Sequence, residues 1–458
     1  MRIEGSATPT VELPFATRAV GRVRAAESSL PVDLAMVTGV ALVLGLFRLG
    51  TPSLWVDEAF TARAVRETLL NPIDQYHWLY YALLEPWTSV AGTSEWALRL
   101  PSVFAAMLAC GLLVVLARRL VEREVALMSG LFLATSPFVV KWSQQARSYT
   151  LVLAASLLAT VLLLRALERT SRGPWALYGL AFSLVFVLQP VSAFVLVPAH
   201  LVPVLRRRTA VLPHGLVAPC VLVVLGFPWV FARAKQTPPW DWLPRPSAEV
   251  AAKTLLEVSG VGGLGLALAI VGLVVLGRTG RRDLGLWLGT WAFVPFVVTF
   301  VVSFAKPIYL DRYLITAAPA FALLAAIAVF GVGRRWGAVV ACAAIVATCF
   351  GLARWYGHGD VGWRGEGWRS AVETVVARRA DASTIVVVPW WASDAATYYG
   401  APVTSASTAD AIWVLVWSED GHSPPAPDRR RLGFGEHQLV ERLEFGRRLS
   451  AQLWRRSP

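Results

Sequence analysis

The chain has 458 residues, of which 56% are hydrophobic and 16% charged, with a mean hydropathy of +0.54. Soluble domains carry about 25% charged residues, so these values exclude a water-soluble globular protein and put the excess apolar surface in a bilayer. The net charge of +13 is not a nucleic-acid footprint: lysine occurs only at Lys141, Lys235, Lys253 and Lys306, and many arginines form short clusters between apolar runs, as in cytoplasmic loops of membrane proteins.

In chain order, residues 1–30 are polar, carry Arg18, Arg22 and Arg24, and read as a cytoplasmic tail. Residues 31–353 read as a multi-pass domain of about eleven transmembrane helices. The apolar runs are Val32–Gly50, Ala97–Ala117, Val125–Val140, Tyr149–Leu164, Trp175–Leu188, Val191–Leu205, Leu216–Phe231, Val258–Leu276, Leu284–Phe304, Tyr313–Gly331 and Trp336–Leu352. The first run lacks a small-residue cleavage site and is followed by further spans, so it reads as a retained anchor. Residues 51–96 form a long first outer loop with Trp55, Tyr76, Trp78, Tyr80, Tyr81 and Trp87, expected to lie on the membrane surface as short interfacial helices. A second outer loop, Ala232–Glu257, contains the proline-bounded stretch Pro238–Pro244. From residue 354 to 458 the chain is no longer apolar. A helix over Trp368–Arg379, a strand over Thr384–Val388, a short helix over Ser393–Tyr399 and a strand over Ala411–Trp417 predict a small α/β domain outside the membrane.

Orientation follows from the arginines. With the N-terminus inside, the even-numbered spans exit to Arg118, Arg119 and Arg123; Arg165, Arg169 and Arg172; Arg206, Arg207 and Arg208; Arg278, Arg281 and Arg282; and Arg334 and Arg335. The opposite loops are mixed in sign and carry Asp57, Glu58, Glu67, Asp74, Glu85 and Glu95. The expected protein is therefore multi-pass in a bacterial cytoplasmic membrane, with its N-terminus cytoplasmic and its C-terminal domain extracytoplasmic.

Some patterns carry no chemistry. Cys110, Cys220, Cys342 and Cys349 lie inside apolar stretches and form neither a disulfide framework nor a metal site, so they read as small buried hydrophobes. Gly260, Gly262 and Gly265 match G-x-G-x-x-G, but no strand precedes them and an apolar span follows, which favours close helix packing over nucleotide binding.

The candidates for chemistry sit at the outer ends of the spans. Asp57 and Glu58 follow the first span; they fit either a helix cap with an acid in the first turn, or a general base for a reaction that deprotonates a hydroxyl. Arg99, Arg147 and Arg312 share one depth at the face where arginine is normally scarce. Each alone fits snorkelling to headgroups; together they fit bidentate binding of phosphate. Tyr149 and Tyr313 stand in the same motifs as Arg147 and Arg312. His77 fits a metal or substrate contact, or an ordinary interfacial histidine. His200 and Gln189, in or beside apolar spans, fit helix–helix hydrogen bonding.

Four motifs in order carry a resemblance: Leu54-Trp55-Val56-Asp57-Glu58-Ala59-Phe60; residues 92–102, from Gly92 through Arg99 to Ser102; Ser136-Pro137-Phe138 leading to Ser143-Gln144-Gln145-Ala146-Arg147-Ser148-Tyr149; and Asp311-Arg312-Tyr313-Leu314 leading to Pro319. Together they resemble the GT-C superfamily of membrane glycosyltransferases, in the family 39-like branch of bacterial relatives of protein O-mannosyltransferases and aminoarabinose transferases. The resemblance implies transfer of a sugar from a polyprenyl-phosphate carrier to a glycan, lipid or protein acceptor at the outer face of the membrane. Asp57 maps onto the family's first-loop acid and would take the acceptor proton. Glu58 would orient Asp57 or a metal. Arg99, Arg147, Tyr149, Arg312, Tyr313 and His77 would bind substrate. Mannose or another hexose is the favoured sugar by analogy, with a pentose such as arabinose as an alternative. The resemblance fixes no cofactor and leaves a divalent metal open. The family usually shows a His-Pro-Pro-Leu-Tyr-like stretch, where this chain reads His77-Trp78-Leu79-Tyr80-Tyr81. The rival class is a transporter or lipid flippase; internal repeats with helices broken at the midplane would favour it. No clear repeat is seen, and the polar groups gather at the interface.

The arginine pattern makes a direct prediction. A reporter active only outside the cytoplasm should work when fused after Pro458 and fail after Arg208; the reverse pattern would invert the topology.

Overall fold

The computed structural model describes residues 20–66, 77–168, 172–206, 245–379, 383–404, 409–418 and 436–457. The expected span Leu216–Phe231, the stretch Pro238–Pro244, and Cys220, Glu67 and Asp74 lie outside them.

The helical part begins with α1 (Val20–Leu46), followed by two short helices from the first loop, α2 (Val56–Ala64) and α3 (Trp78–Ala91). Then come α4 (Glu95–Ala117), α5 (Arg123–Thr135), α6 (Pro137–Ser143), α7 (Tyr149–Glu168), α8 (Arg172–Leu188) and α9 (Pro190–Arg206). After residue 245 follow α10 (Ala248–Val258), α11 (Gly263–Arg278), α12 (Arg282–Val302), a 3-10 helix (Asp311–Ala317) running into α13 (Ala318–Gly331), and α14 (Arg334–Tyr356). Among the described residues, six helices are long and apolar enough to cross a membrane, and eight spans result if two bent pairs count as one each. The expected count of eleven includes one span outside the described residues and is not confirmed by the rest. The remaining apolar helices, α8 and α9, have 17 residues each, the short end of what a bilayer needs.

The bends have local causes. Pro137 cannot donate to the preceding turn, and Ser136 caps the new helix through Val139, so the chain turns by 57° between α5 and α6. Gly260 and Gly262, both at positive φ, turn it by 75° between α10 and α11. These glycines thus break a span, rather than serving only to pack helices closely.

The polar groups sort by end. At one end Asp33, 1% exposed, is held by Arg118 at 3.2 Å and Arg123 at 2.8 Å; Arg206 pairs with Asp283, and Arg281 donates to the Leu120 carbonyl. The other end carries the first loop and the C-terminal domain. Cys110 is buried, but Cys342 and Cys349 lie exposed on α14, so the expectation of buried cysteines fails for those two. Helix α14 packs on the outside of the bundle, where its side chains face outward.

The C-terminal domain contains α15 (Trp368–Arg378), β1 (Thr384–Val388), α16 (Ser393–Tyr398) and β2 (Ala411–Trp417). Strands β3 (His437–Glu444) and β4 (Leu449–Arg456) complete a sheet in the order β1-β2-β4-β3. β1 and β2 are parallel, while β4 is antiparallel to both its neighbours. The domain is docked, not tethered. The Leu54 N–H donates to the Tyr399 hydroxyl at 2.7 Å, and Tyr398 donates to the Thr93 carbonyl at 2.8 Å. Arg369 reaches Gly50, Thr51, Asp360 and Glu95. Arg63 pairs with Asp394 at 2.9 Å. One apolar core runs from the helices through Trp368, Val372 and Ile385 into the sheet.

The β3–β4 turn closes on the loop that follows α14. Gly446, at φ +102°, has no room for a side chain: a Cβ there would lie 2.4 Å from the Gly365 carbonyl oxygen. The Gly367 N–H donates to Phe445 and the Arg448 N–H to Gly365, locking loop and turn together. Gly446→Ala should therefore cost on the order of 1–3 kcal/mol, seen as a lower unfolding midpoint and faster proteolysis of the domain. Gly277→Ala, which adds a methyl group in open space on a helix, should change neither.

Candidate active site

The site begins with a buried ion pair. Glu58 is 0% and Arg99 1% exposed. Arg99 Nε donates to Glu58 Oε1 at 2.8 Å and Nη2 to Oε2 at 2.7 Å, a bidentate fork. The remaining donors of Arg99 go to the carbonyls of Leu49, Pro52 and Ser53, and the Ala146 N–H donates to Glu58 Oε1 at 2.7 Å. This pair stitches the end of α1, the start of α2, the start of α4 and the turn before α7. Its donors and acceptors are spent on the protein, leaving neither Arg99 to bind a substrate phosphate nor Glu58 to orient Asp57. That departs from the sequence expectation for both residues.

Asp57 is oriented differently. Helix α2 starts at Val56, and its N-cap is Trp55, which makes no side-chain capping bond; Asp57 is therefore a first-turn residue and not the cap. The α2 N-terminus is served from the other domain, where Glu366 Oε2 accepts from the Val56 N–H at 3.3 Å. The half-buried Asp57 carboxylate forms no hydrogen bond or ion pair with a described residue. Its electrostatic neighbours are Arg312, Tyr313 and Arg364.

Arg312 stands opposite. It is 6% exposed, and its guanidinium lies 5.9 Å from the ring centres of both Tyr149 and Tyr313. Its Nε is buried with no partner among the described residues. Its neighbour Asp311 is already taken by Lys141 at 2.8 Å. Arg147 enters from the turn after α6. Its Nη1 makes long contacts to the Asp57 carbonyl and Thr61 at 3.4 Å and to the Tyr81 hydroxyl at 3.5 Å. Tyr313 is an electrostatic neighbour of Tyr149, Arg312, Arg147 and Asp57, so these five predicted residues converge. His77 sits at the N-cap of α3, its ring 6.5 Å from that of Tyr81, which places it at the rim. His200 bonds Thr160 and Tyr178 within the bundle, as helix-to-helix bonding requires.

Three residues of the site went unpredicted. Lys141, Trp363 and Arg364 form a stack: Lys141 Nζ lies 4.2 Å from the Trp363 ring, and the Arg364 guanidinium lies 4.8 Å from the Trp363 ring and 4.2 Å from the Trp55 ring. The signal lay in the dense stretch Trp363-Arg364-Gly365-Glu366-Gly367-Trp368-Arg369, directly after the last apolar run. Among the described residues, no three His, Cys, Asp or Glu side chains gather as a metal site would need. With Glu58 held by Arg99, the carboxylate left for a metal here is Asp57 alone.

Comparison with known proteins bears on the fold. The chain resembles ArnT from Cupriavidus metallidurans in the apo state with a TM-score of 0.61, at 16% identity over 94% of this chain and 98% of that one. The chain has the GT-C fold. ArnT bound to undecaprenyl phosphate matches with a TM-score of 0.58, at 16% identity over 92% of this chain and 97% of that one. The archaeal oligosaccharyltransferase AglB from Archaeoglobus fulgidus, solved with an inhibitory peptide and a dolichol-phosphate, matches at 0.50 and 12% identity, over 79% of this chain and 63% of that one. Residues 78–232 match the model of the dolichyl-phosphate-mannose-protein mannosyltransferase family. No curated protein matches by sequence. In this chain the Asp57 loop, the Arg147 turn and the Arg312 helix lie at one end of the bundle, the end on which the C-terminal domain docks.

The ion pair yields a test. Removing one partner of a buried pair leaves the other charged and unpaired, at a cost of about 3–5 kcal/mol. Glu58→Gln and Arg99→Met should both lower the unfolding midpoint sharply. Unchanged midpoints would show that the pair does not hold the loop.

Proposed function

We propose that this chain transfers a sugar from a polyprenyl-phosphate carrier to an acceptor hydroxyl at the outer face of the membrane. The observation that carries the reading is the pairing of an open carboxylate, Asp57, with a buried guanidinium that has no anion, Arg312. A buried cation without a counter-ion is costly, and a ligand phosphate would offset that cost.

The steps follow from the groups. Asp57 takes the proton of the acceptor hydroxyl as its oxygen attacks the anomeric carbon. The bond from that carbon to the phosphate oxygen breaks, and the electron pair leaves with the polyprenyl phosphate. Arg312, with Arg147 beside it, meets the charge that develops. Direct displacement inverts the anomeric centre. Tyr149 and Tyr313 flank the guanidinium of Arg312 and fix its plane. A hexose such as mannose fits the matched family's name, and a pentose is the second reading. Asp57 as base places the acceptor on the side of the C-terminal domain, which the arginine-based topology puts outside the cytoplasm. A flippase would not require an open carboxylate beside the phosphate site.

Asp57→Asn separates catalysis from folding, because the side chain bonds nothing that the amide would lose. Turnover of a polyprenyl-phosphate sugar by the purified variant should fall by about 10²–10⁴-fold, with the unfolding midpoint and donor binding preserved. Retention of more than about a tenth of wild-type turnover, a smaller loss than a general base should cause, would refute the assignment of Asp57.

A further inference from the structure

The membrane-embedded helices do not account for all of the unpaired positive charge at the site. Arg364 comes from the C-terminal domain, in the loop between α14 and α15. Its guanidinium rests on the faces of Trp55 and Trp363 and makes no hydrogen bond or ion pair with a described residue; its Nε is buried without a partner. Trp55 lies two residues before Asp57, so this stacking sets Arg364 at the mouth of the same site.

The acids nearby do not neutralise it. Asp311 is paired with Lys141. The nearest acid in sequence, Glu366, makes no hydrogen bond to Arg364; its Oε2 accepts from the Val56 N–H and from Trp368 Nε1 at 3.2 Å. Burial pushes the Glu366 carboxyl above the usual carboxylate range, although the Arg364 charge pulls against that shift. Burial lowers the Arg364 guanidinium below its ordinary value, and the like charge of Arg312 lowers it further. Arg312 and Arg364 thus both lie in the field of one open carboxylate, Asp57.

The loop that holds Arg364 is rigid. The Gly365 N–H donates to Gly362, the Glu366 N–H to Val361, and the β3–β4 turn clasps Gly365 and Gly367 from behind. Holding an unpaired cation in place this firmly is unfavourable in the absence of an anion and useful in its presence.

We propose that Arg364 is a further guanidinium of the donor-phosphate site, added to Arg312 and Arg147 by the C-terminal domain to take the charge that appears as the polyprenyl phosphate departs. The inference rests on the glycosyl-transfer reading. In that reaction the phosphate begins as a diester with one negative charge. When the carbon–oxygen bond to the sugar breaks, it becomes a monoester carrying two. Arg312 and Arg147 face the charge already present; Arg364 matters most for the charge that is gained. The ligand chemistry is a phosphate monoester, and it could reach the site as a lipid or as free phosphate.

The test uses the full-length protein in zwitterionic nanodiscs, with decaprenyl phosphate, decaprenol and inorganic phosphate as probes. Wild type should bind the lipid phosphate well above the alcohol. Arg364→Gln should weaken decaprenyl phosphate by about tenfold to a hundredfold and leave decaprenol unchanged, while Arg364→Lys should fall between. Competition by millimolar inorganic phosphate would assign the site to the phosphate alone; its failure to compete would show that the lipid chain is needed too. Wild-type affinity for decaprenyl phosphate in Arg364→Gln would overturn the role of Arg364 and leave the glycosyl-transfer reading standing. Equal loss of phosphate and alcohol binding would mark Arg364 as merely structural and overturn its role as well. A wild type that does not distinguish phosphate from alcohol would overturn the reading and the inference together.

Discussion

Arg99 and Glu58 meet where neither touches water, and α2 can lie only where their fork allows. Arg99 also collects three carbonyls from the segment that follows α1. Glu58 collects the Ala146 N–H at the turn before α7. Four segments far apart in sequence are fixed by two side chains. Their attraction is strong because the surroundings are dry, and either residue alone there would be strongly unfavourable. Adjacent helical residues point about 100° apart, so anchoring Glu58 inward turns Asp57 toward Arg312. Of two neighbouring acids, one is therefore locked into the structure and the other is left open beside Arg312.

Charge is distributed unequally between the two ends of the bundle. At the arginine-rich end, Asp33 pairs with Arg118 and Arg123, and Asp283 with Arg206. At the domain end, Lys141 is matched by Asp311, but Arg312 and Arg364 are not matched in kind. A protein that buries cations without counter-ions gives up stability, and such groups persist where a ligand supplies the missing charge.

The helical architecture was legible in the sequence because spans announce themselves by length and apolarity. The breaks at Pro137 and Gly260 were not, since a bent span and a straight one share a hydropathy profile. In the domain, β1 and β2 were legible as continuous apolar runs. β3 and β4 were missed because β3 lies at the sheet edge and shows Glu441, Arg442 and Glu444 to solvent. Asp57, Arg147, Tyr149, Arg312 and Tyr313 were found together because each stands beside the end of an apolar run. The separate fates of Asp57 and Glu58 could not be read, since they depend on a partner 41 residues on from Glu58. Arg364 was hidden for the same reason: only the docking of the domain brings it beside Trp55.

The order of the sheet bears on how the protein is made. Strand β4 lies between β2 and β3, and the turn leading into it secures the loop that carries Arg364. That strand leaves the ribosome after every helix described here. The helical bundle can thus be inserted and packed while the end that carries Asp57 and Arg312 is still without its covering loop. Any ligand of that end would meet a half-built pocket during synthesis, and a complete one only once translation has passed β4.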